Sequence, residues 1–288
     1  MYAITPEEAG NELSPIFKGK YGKILFHLVM KVTGIDKANK THYRVGAAGT
    51  PAGPDFAKGI LDDAGIDFAI GHPERLEQLP EGAFIAIANH VYGHIDGICL
   101  VDILGHVRPK TKVLVNELLM WFKGLRPNFI SVNPTTTRKM TTATSISGIK
   151  SALQQVHEGE PLAIFPSGAV ADLKPREGWI ISEREWQDAA IRLIRKAHVP
   201  VVPIRFFDYN SWFYYALGLI DYRIRFVRLF HEVYNKKGKH PRVGIGETIP
   251  VETLDALSDE EFKVFLRKSV YDMPLPETFT LRSELWKK

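Results

Sequence analysis

Residues 83–97 read Ala-Phe-Ile-Ala-Ile-Ala-Asn-His-Val-Tyr-Gly-His-Ile-Asp-Gly, and this stretch decides the fold. Its first six residues are an unbroken apolar run that follows the turn Pro-Glu-Gly at 80–82. A short apolar run bounded by a turn is typical of a strand that is buried on both faces of a parallel sheet. The apolar residues after Gly97 recur at helical spacing, so we predict a helix that begins near Asp96 or Gly97.

Apolar strand patterns alternate with helical patterns along most of the chain. Strand patterns recur at 111–116, 128–132, 161–165 and 199–206, and helical patterns at 55–70, 117–124, 141–158, 185–197 and 258–271. Such alternation predicts an α/β fold with a mainly parallel sheet flanked by helices. The turn-rich break at 46–54 divides the chain into an N-terminal helical arm, residues 1–50, and an α/β domain, residues 51–288.

Composition limits the class of protein. The 288 residues include 45% hydrophobic and 24% charged residues, which is ordinary for a globular chain and excludes a disordered one. The single cysteine, Cys99, lies in an apolar run, which predicts a buried, inert thiol in a reducing compartment. The formal net charge of +4 favours anionic partners without distinguishing membranes, nucleic acids and phosphorylated metabolites.

Two segments have the apolar character of a membrane interface. Residues 14–34 place four lysines among apolar residues, and residues 208–220 hold five aromatic residues within seven positions. A basic, apolar helix can lie in a lipid interface, and amphipathic aromatic residues suit such an interface or an acyl-chain pocket. Packing on the core is the alternative for both segments. The sequence lacks an apolar run of about 18 residues and a signal-peptide core, so we expect neither a membrane-spanning helix nor a signal peptide.

His90 and Asp96 are the candidate catalytic residues. The predicted strand ends just before His90, and open α/β sheets bind ligands at the carboxyl ends of their strands. A histidine whose tautomer and orientation are fixed by a carboxylate is a general base. Two alternatives remain open. One is a purely structural histidine beside a helix-capping aspartate, as in a catalytically silent lipid-binding module, and the other is a metal-dependent hydrolase site formed by His90, His94 and Asp96.

Three motifs occur in order along the chain. They are Asn89-His90 with Asp96, Phe165-Pro166-Ser167-Gly168, and Val199-Pro200-Val201-Val202-Pro203-Ile204. Together they resemble the lysophospholipid acyltransferase family, which contains the glycerolphosphate acyltransferases. More narrowly, the chain looks like the hemolysin-like bacterial branch, which includes enzymes that acylate amino-acid lipids. The resemblance covers residues 80–250.

The resemblance implies an acyltransferase in which His90 is the general base and Asp96 orients it. The base deprotonates a hydroxyl or amine of the acceptor, which attacks the thioester carbonyl of acyl-coenzyme A or acyl carrier protein. Amides at a helix N-terminus can support the oxyanion. The resemblance implies no metal and no bound cofactor. It implies three partners: a lysolipid, glycerol-phosphate or amino-lipid acceptor, acyl carrier protein, and a membrane surface. The protein would lie in the cytoplasm, on the inner face of the membrane. The resemblance does not imply binding to nucleic acid.

Two departures from the family pattern affect the predicted site. Five residues separate His90 from Asp96, whereas the family usually has four, although the hemolysin-like branch resembles the longer form. The glycerolphosphate enzymes have Glu-Gly-Thr-Arg after their Phe-Pro. Here Ser167 replaces the glutamate and Val170 stands where the arginine would be, which removes a bidentate phosphate clamp.

The predicted substrate-binding residues surround these motifs. They are Asn89, His94, Arg138, Lys139, Ser167 and Gly168. Ser167 and Gly168 are assigned to the acceptor site. Arg138 and Lys139 can supply the positive charge that is missing at Val170, with a solvated loop as the alternative. For His94 the alternative is a packed or solvent-facing histidine.

Overall fold

A computed structural model describes residues 15–132 and 143–286, together with Thr5 and Asn11. The strands are β1 (Ala69–Gly71), β2 (Ile85–Ala88), β3 (Lys112–Asn116), β4 (Phe129–Val132), β5 (Leu162–Ile164), β6 (Asp172–Lys174), β7 (Ile180–Ser182), β8 (Val201–Phe206), β9 (Arg242–Ile245) and β10 (Thr280–Leu281). The helices are α1 (Gly19–Thr33), α2 (Ile35–Ala47), α3 (Pro54–Ala64), α4 (His94–Gly105), α5 (Ala143–His157), α6 (Asp188–Ala197), α7 (Trp212–Ile220), α8 (Tyr222–Tyr234), α9 (Val251–Asp255), α10 (Asp259–Tyr271) and α11 (Arg282–Leu285).

Eight of these strands form one sheet in the order β10-β1-β9-β8-β2-β5-β3-β4. The five strands from β8 to β4 are parallel to one another. β9 is antiparallel to β8, β1 is parallel to β9, and β10 is antiparallel to β1. The predicted α/β class, a mainly parallel sheet flanked by helices, is therefore confirmed. β6 and β7 form a separate antiparallel hairpin.

β2 lies inside the parallel part of the sheet, between β8 and β5. All four of its residues are completely buried, because strands cover both edges and helices cover both faces. Ala86 and Ala88 face the core cluster built with α3 and α4. Ile85 and Ile87 face the cluster built with α5, α6 and α10, and each buried isoleucine contributes about 1.5–3 kcal/mol. The buried strand therefore fixes the position of His90, which lies just beyond its carboxyl end.

A buried ion pair anchors the C-terminal half of α4. The Arg282 Nη1 group donates to Oδ2 of Asp102 at 2.9 Å, and both side chains are almost completely buried. A second guanidinium nitrogen pairs with Asp62 on α3. Since breaking a buried pair leaves an uncompensated charge, this cluster holds α4 against α3 and the C-terminal segment.

The N-terminal helices pack on the body by a narrow face. α1 buries Gly22, Phe26 and Met30, and the two larger side chains contact Ile35 and Trp121. Among the described residues, none of the helices combines the length and the apolar character needed to cross a bilayer. The division into an arm, residues 1–50, and a domain, residues 51–288, stays a prediction.

The helical patterns over 55–70 and 117–124 differ from the structure. The helical pattern over 55–70 ends at Ala64, where Gly65 adopts the left-handed conformation, with φ of +68°, that closes a helix. The chain then enters β1, which is too short to show a strand pattern of its own. The helix predicted over 117–124 is instead a pair of 3-10 helices, Glu117–Trp121 and Lys123–Asn128.

Candidate active site

His90 and Asp96 form a hydrogen-bonded pair at the carboxyl end of β2. The Nδ1 atom of His90 lies 2.8 Å from Oδ2 of Asp96. The His90 side chain is 18% exposed, whereas the Asp96 side chain is completely buried. Within the described part of the chain, the second ring nitrogen, Nε2, has no hydrogen-bond partner. A carboxylate on Nδ1 favours the tautomer that leaves the Nε2 lone pair free, so the pair can act as a general base.

The Asp96 carboxylate also builds the turn between β2 and α4. Its Oδ2 atom accepts the main-chain N–H groups of residues 91–93 at 2.9–3.2 Å. Because Asp96 caps the helix from inside its first turn, α4 begins at His94, two residues before the predicted start. The five intervening residues are accommodated by this turn, in which Gly93 has a φ of +91° that favours glycine.

The hydrogen bonds to Asp96 engage three consecutive main-chain donors of the turn that precedes α4. The amides of the helix itself begin at His94, and amides at a helix N-terminus can stabilise an oxyanion.

The strand-end loop after β5 holds the His90 ring and main chain. The His90 ring stacks on Phe165 with a centroid distance of 4.4 Å and an interplanar angle of 29°, which fixes the plane of the imidazole. The His90 carbonyl accepts the Ala171 N–H at 2.8 Å. The His90 N–H donates to the carboxylate of Glu183. The ring and the main chain of His90 are thus both fixed by residues that are distant in sequence.

Asn89 joins β2 to β8 immediately before His90. Its Nδ2 group donates to the Phe206 carbonyl at 2.9 Å, and its Oδ1 atom accepts the Phe206 N–H at 2.7 Å. The buried amide extends the pairing of the two strands by one rung. The structure thus gives Asn89 a supporting role, and its role in substrate binding stays a prediction.

His94 is a packed, neutral histidine. Its ring lies on Phe230 of α8 with a centroid distance of 4.2 Å, and its buried Nε2 atom has no partner among the described residues. Burial lowers the pKa of His94 to about 3, helped by the positive charges of His90 and Lys236. This arrangement matches the packed alternative, and contact with substrate stays a prediction.

Ser167 and Gly168 form the turn that follows Phe165. The buried Ser167 hydroxyl lies 2.9 Å from Oε1 of Glu183 and 2.9 Å from the Ala169 carbonyl, and it can donate to either. Gly168 has a φ of +64°, and a Cβ there would lie 2.0 Å from Nε2 of Gln187. The turn therefore requires glycine. Both residues shape the loop beside His90, and their contact with the acceptor stays a prediction.

Arg138 and Lys139 lie outside the described residues, so the structure does not locate them. A different cationic side chain, that of Arg225, contacts the loop after β5. Arg225 of α8 is largely buried, donates to the Ala171 carbonyl at 2.9 Å and pairs with Asp172. Since Ala171 also binds His90, Arg225 fixes α8 over the loop that holds the candidate base.

The metal-dependent hydrolase alternative finds no support in the geometry. Among the described residues, no three His, Cys, Asp or Glu side chains are arranged to hold a metal ion. The Nδ1 atom of His90 is occupied by Asp96, and His94 is packed on Phe230.

Glu183 belongs to this site and was not predicted from the sequence. It follows β7, is 1% exposed, and touches both His90 and Ser167. The surrounding Ser-Glu-Arg-Glu at 182–185 has no periodicity that marks one carboxylate as buried. Long-range packing decides that Glu183 is the buried carboxylate of this segment.

Comparison with known proteins identifies the family to which this chain belongs. A family model described as Acyltransferase matches residues 50–275. The chain is 29% identical over 234 residues to the lyso-glycine lipid O-acyltransferase of Bacteroides thetaiotaomicron, covering 77% of this chain and 80% of that protein. It is 30% identical over 234 residues to the protein of the same name from Phocaeicola vulgatus, covering 77% and 78%.

A solved structure is also similar. The 1-acyl-sn-glycerophosphate (LPA) acyltransferase PlsC from Thermotoga maritima aligns with a TM-score of 0.48 and 15% sequence identity, covering 92% of this chain and 90% of that one.

This chain belongs to the acyltransferase family. The predicted membership of the lysophospholipid acyltransferases and the predicted acyltransferase activity are thereby confirmed. The narrower placement in the hemolysin-like branch stays a prediction.

We expect His94→Phe to weaken the pH dependence of stability. The unfolded chain protonates this histidine near pH 6.5, whereas the folded protein does so only near pH 3. Lowering the pH from 7 to 5 therefore reduces the free energy of unfolding by up to about 2 kcal/mol through this group alone. Urea unfolding at the two pH values measures the change.

The variant His157→Phe, at an exposed position, is the control and should keep the wild-type difference between pH 7 and pH 5. An unchanged difference in His94→Phe would contradict the assignment of His94 as a neutral, buried ring.

Proposed function

We propose that this protein transfers a fatty acyl group from an acyl thioester to the hydroxyl group of a lyso-amino-lipid, with His90 as general base and Asp96 as its orienter. The observation that carries the proposal is the 2.8 Å contact between Nδ1 of His90 and Asp96. It leaves Nε2 as the proton acceptor in a chain of the acyltransferase family.

The proposed reaction needs one base and no external proton source. Nε2 of His90 takes the proton of the acceptor hydroxyl as the oxygen attacks the thioester carbonyl carbon. The tetrahedral intermediate then collapses, the C–S bond breaks, and the leaving sulfur takes the proton from the imidazolium. The products are an ester and a free thiol. The buried Asp96 carboxylate stabilises the transient imidazolium charge.

Two observations favour an amino-lipid acceptor over glycerol phosphate. Both curated relatives are named lyso-glycine lipid O-acyltransferase. The loop after β5 carries Val170 at the position of the arginine in the glycerolphosphate enzymes, so the bidentate phosphate clamp is missing. The donor in this proposal is acyl-coenzyme A or acyl carrier protein, and no bound cofactor takes part.

We also propose that the protein reaches its acceptor by lying on the cytoplasmic face of a membrane. The apolar residues Tyr21, Ile24, Leu28 and Val32 of α1 are exposed. They lie opposite the buried face formed by Phe26 and Met30, since successive helix residues are about 100° apart. An apolar stripe that no part of the described chain covers suits a lipid interface.

The lysines of α1 and a second group of exposed apolar residues, on α7 and α8, support the same placement of the protein on a membrane. Lys18, Lys20, Lys23 and Lys31 are exposed on or beside α1, and basic side chains are attracted to anionic lipid. The C-terminal end of α1 contacts α8, where His231 lies 3.1 Å from the Val32 carbonyl. The hairpin of α7 and α8 exposes Trp212, Phe213, Leu219, Ile220 and Ile224. Aromatic and aliphatic side chains of this kind are typical of a membrane interface.

We expect acceptor-dependent release of free thiol from palmitoyl-coenzyme A or palmitoyl-acyl carrier protein when a lyso-glycine lipid is present. His90→Ala should lower kcat by about 10²- to 10⁴-fold, because it removes the general base. The assay compares the lyso-glycine lipid with lysophosphatidic acid and glycerol 3-phosphate, with and without a chelator.

In that assay His157→Ala serves as the control, since this histidine is exposed on α5. Unchanged activity in His90→Ala would refute the assigned base, and a preference for glycerol 3-phosphate would refute the assigned acceptor. Loss of activity with the chelator would favour the metal-dependent alternative.

We expect the double variant Ile24→Ser, Leu28→Ser to bind phosphatidylcholine–phosphatidylglycerol vesicles at least about tenfold more weakly than wild type, because it removes apolar area from the α1 stripe. Vesicle sedimentation measures the binding. The exposed Val264→Ser on α10 is the control, and equal binding by the double variant would show that α1 does not face lipid.

A further inference from the structure

Glu183 places a carboxylate directly behind the candidate base. Its Oε1 atom accepts the main-chain N–H of His90 and can accept the Ser167 hydroxyl at 2.9 Å. Its Oε2 atom accepts the hydroxyl of Tyr271 and, at 3.4 Å, the indole N–H of Trp186. One buried side chain therefore connects the end of β2, the loop after β5 and helix α10.

A carboxylate in this position is costly unless it is compensated. Burial raises the pKa of Glu183, while hydrogen bonds from Tyr271, Ser167 and the His90 main chain, and the charge of His90, act in the opposite direction. A buried acid needs donors of this kind to remain ionised. Burial outweighs these donors, so the pKa of Glu183 stays above its ordinary value, but donors on both of its oxygens favour the ionised form.

We propose that Glu183 is a positioning residue for acyl transfer, which fixes the main chain of His90 and the Ser167 turn and whose negative charge stabilises the protonated His90 ring. The proposal rests on the function proposed for His90. The positioning role follows from the contacts, because the Oε1 atom of Glu183 lies within hydrogen-bond distance of both the His90 N–H and the Ser167 hydroxyl. Together with the stacking on Phe165, this linkage fixes how the ring meets Asp96.

The electrostatic part follows from the charges around the ring. The charged and titratable groups near His90 and Glu183 are Asp96 and His94 of α4, Lys174 of β6, and Tyr271 and Arg267 of α10. Lys174 donates to the main-chain carbonyl of Glu183 at 3.0 Å. Glu183→Gln changes none of these side chains. A change in the pH–rate profile then reports the loss of the carboxylate charge.

Tyr271 extends the linkage to the C-terminal helix. Burial raises the pKa of Tyr271, so its hydroxyl remains a neutral donor to Glu183. Replacing this hydroxyl removes one donor to the carboxylate and alters neither His90 nor Asp96.

The test measures kcat, KM and the pH dependence of kcat for thiol release by the full chain with palmitoyl-coenzyme A and lyso-glycine lipid. Glu183→Gln should lower kcat by about 10- to 100-fold. It should leave both KM values within about twofold, because the buried Glu183 carboxylate meets protein donors on both of its oxygens. The acidic limb of the profile should move to lower pH, since His90 loses a neighbouring negative charge.

Two further variants separate positioning from general damage. Glu183→Asp keeps the charge and should restore part of kcat and the wild-type position of the acidic limb. Tyr271→Phe should lower kcat by about three- to tenfold, because the carboxylate loses one donor. Glu185→Gln, at an exposed neighbouring position, should behave like wild type. If thermal unfolding shows that Glu183→Gln does not fold, Glu183→Asp and Tyr271→Phe decide the role of the carboxylate by the same measurements.

The outcomes distinguish this inference from the proposed function. A wild-type protein that releases no thiol with any acceptor would refute the function. An active wild type with unchanged kcat in Glu183→Gln and Tyr271→Phe would refute only the role of Glu183. A loss of kcat in Glu183→Gln with an unmoved acidic limb would also overturn the proposal, because it would leave Glu183 with a purely structural role.

Discussion

The contact on which the site depends is the set of four hydrogen bonds to one oxygen of Asp96. This Oδ2 atom meets the His90 ring at 2.8 Å and accepts three consecutive main-chain N–H groups. The same carboxylate therefore shapes the turn, starts α4 and orients the candidate base. Because Asp96 is completely buried, its charge is weakly screened by solvent and acts strongly on the ring.

The rest of the fold holds the two partners of this contact in place. Asn89 pairs with Phe206 and anchors the chain just before His90. Arg282 pairs with Asp102 and anchors α4 beyond Asp96. The loop after β5 stacks Phe165 on the ring. A fixed orientation makes a general base more effective, and these contacts fix that of His90 through parts of the chain that are distant in sequence.

Local patterns predicted the elements that carry the motifs, and long-range packing decided the rest. The apolar run before Asn89 and the strand pattern at 199–206 are local signals, and both are strands in the structure. β1 and β10 have three and two residues and exist because of their neighbours, so no periodicity could predict them. Glu183 and Arg225 escaped prediction for the same reason, because a single charged residue shows no sign of its burial. The pairing of His90 with Asp96 was predictable because the two residues lie on one turn.

The most direct test of this account is kcat for thiol release by Asp96→Asn with saturating acyl donor and lyso-glycine lipid. The asparagine oxygen can take the place of Oδ2 and accept the same N–H groups, so the turn should form while the negative charge is lost. We expect a folded protein whose kcat is at least about 100-fold below wild type. A kcat within about twofold of wild type would contradict the claim that a charged His90–Asp96 pair performs the reaction.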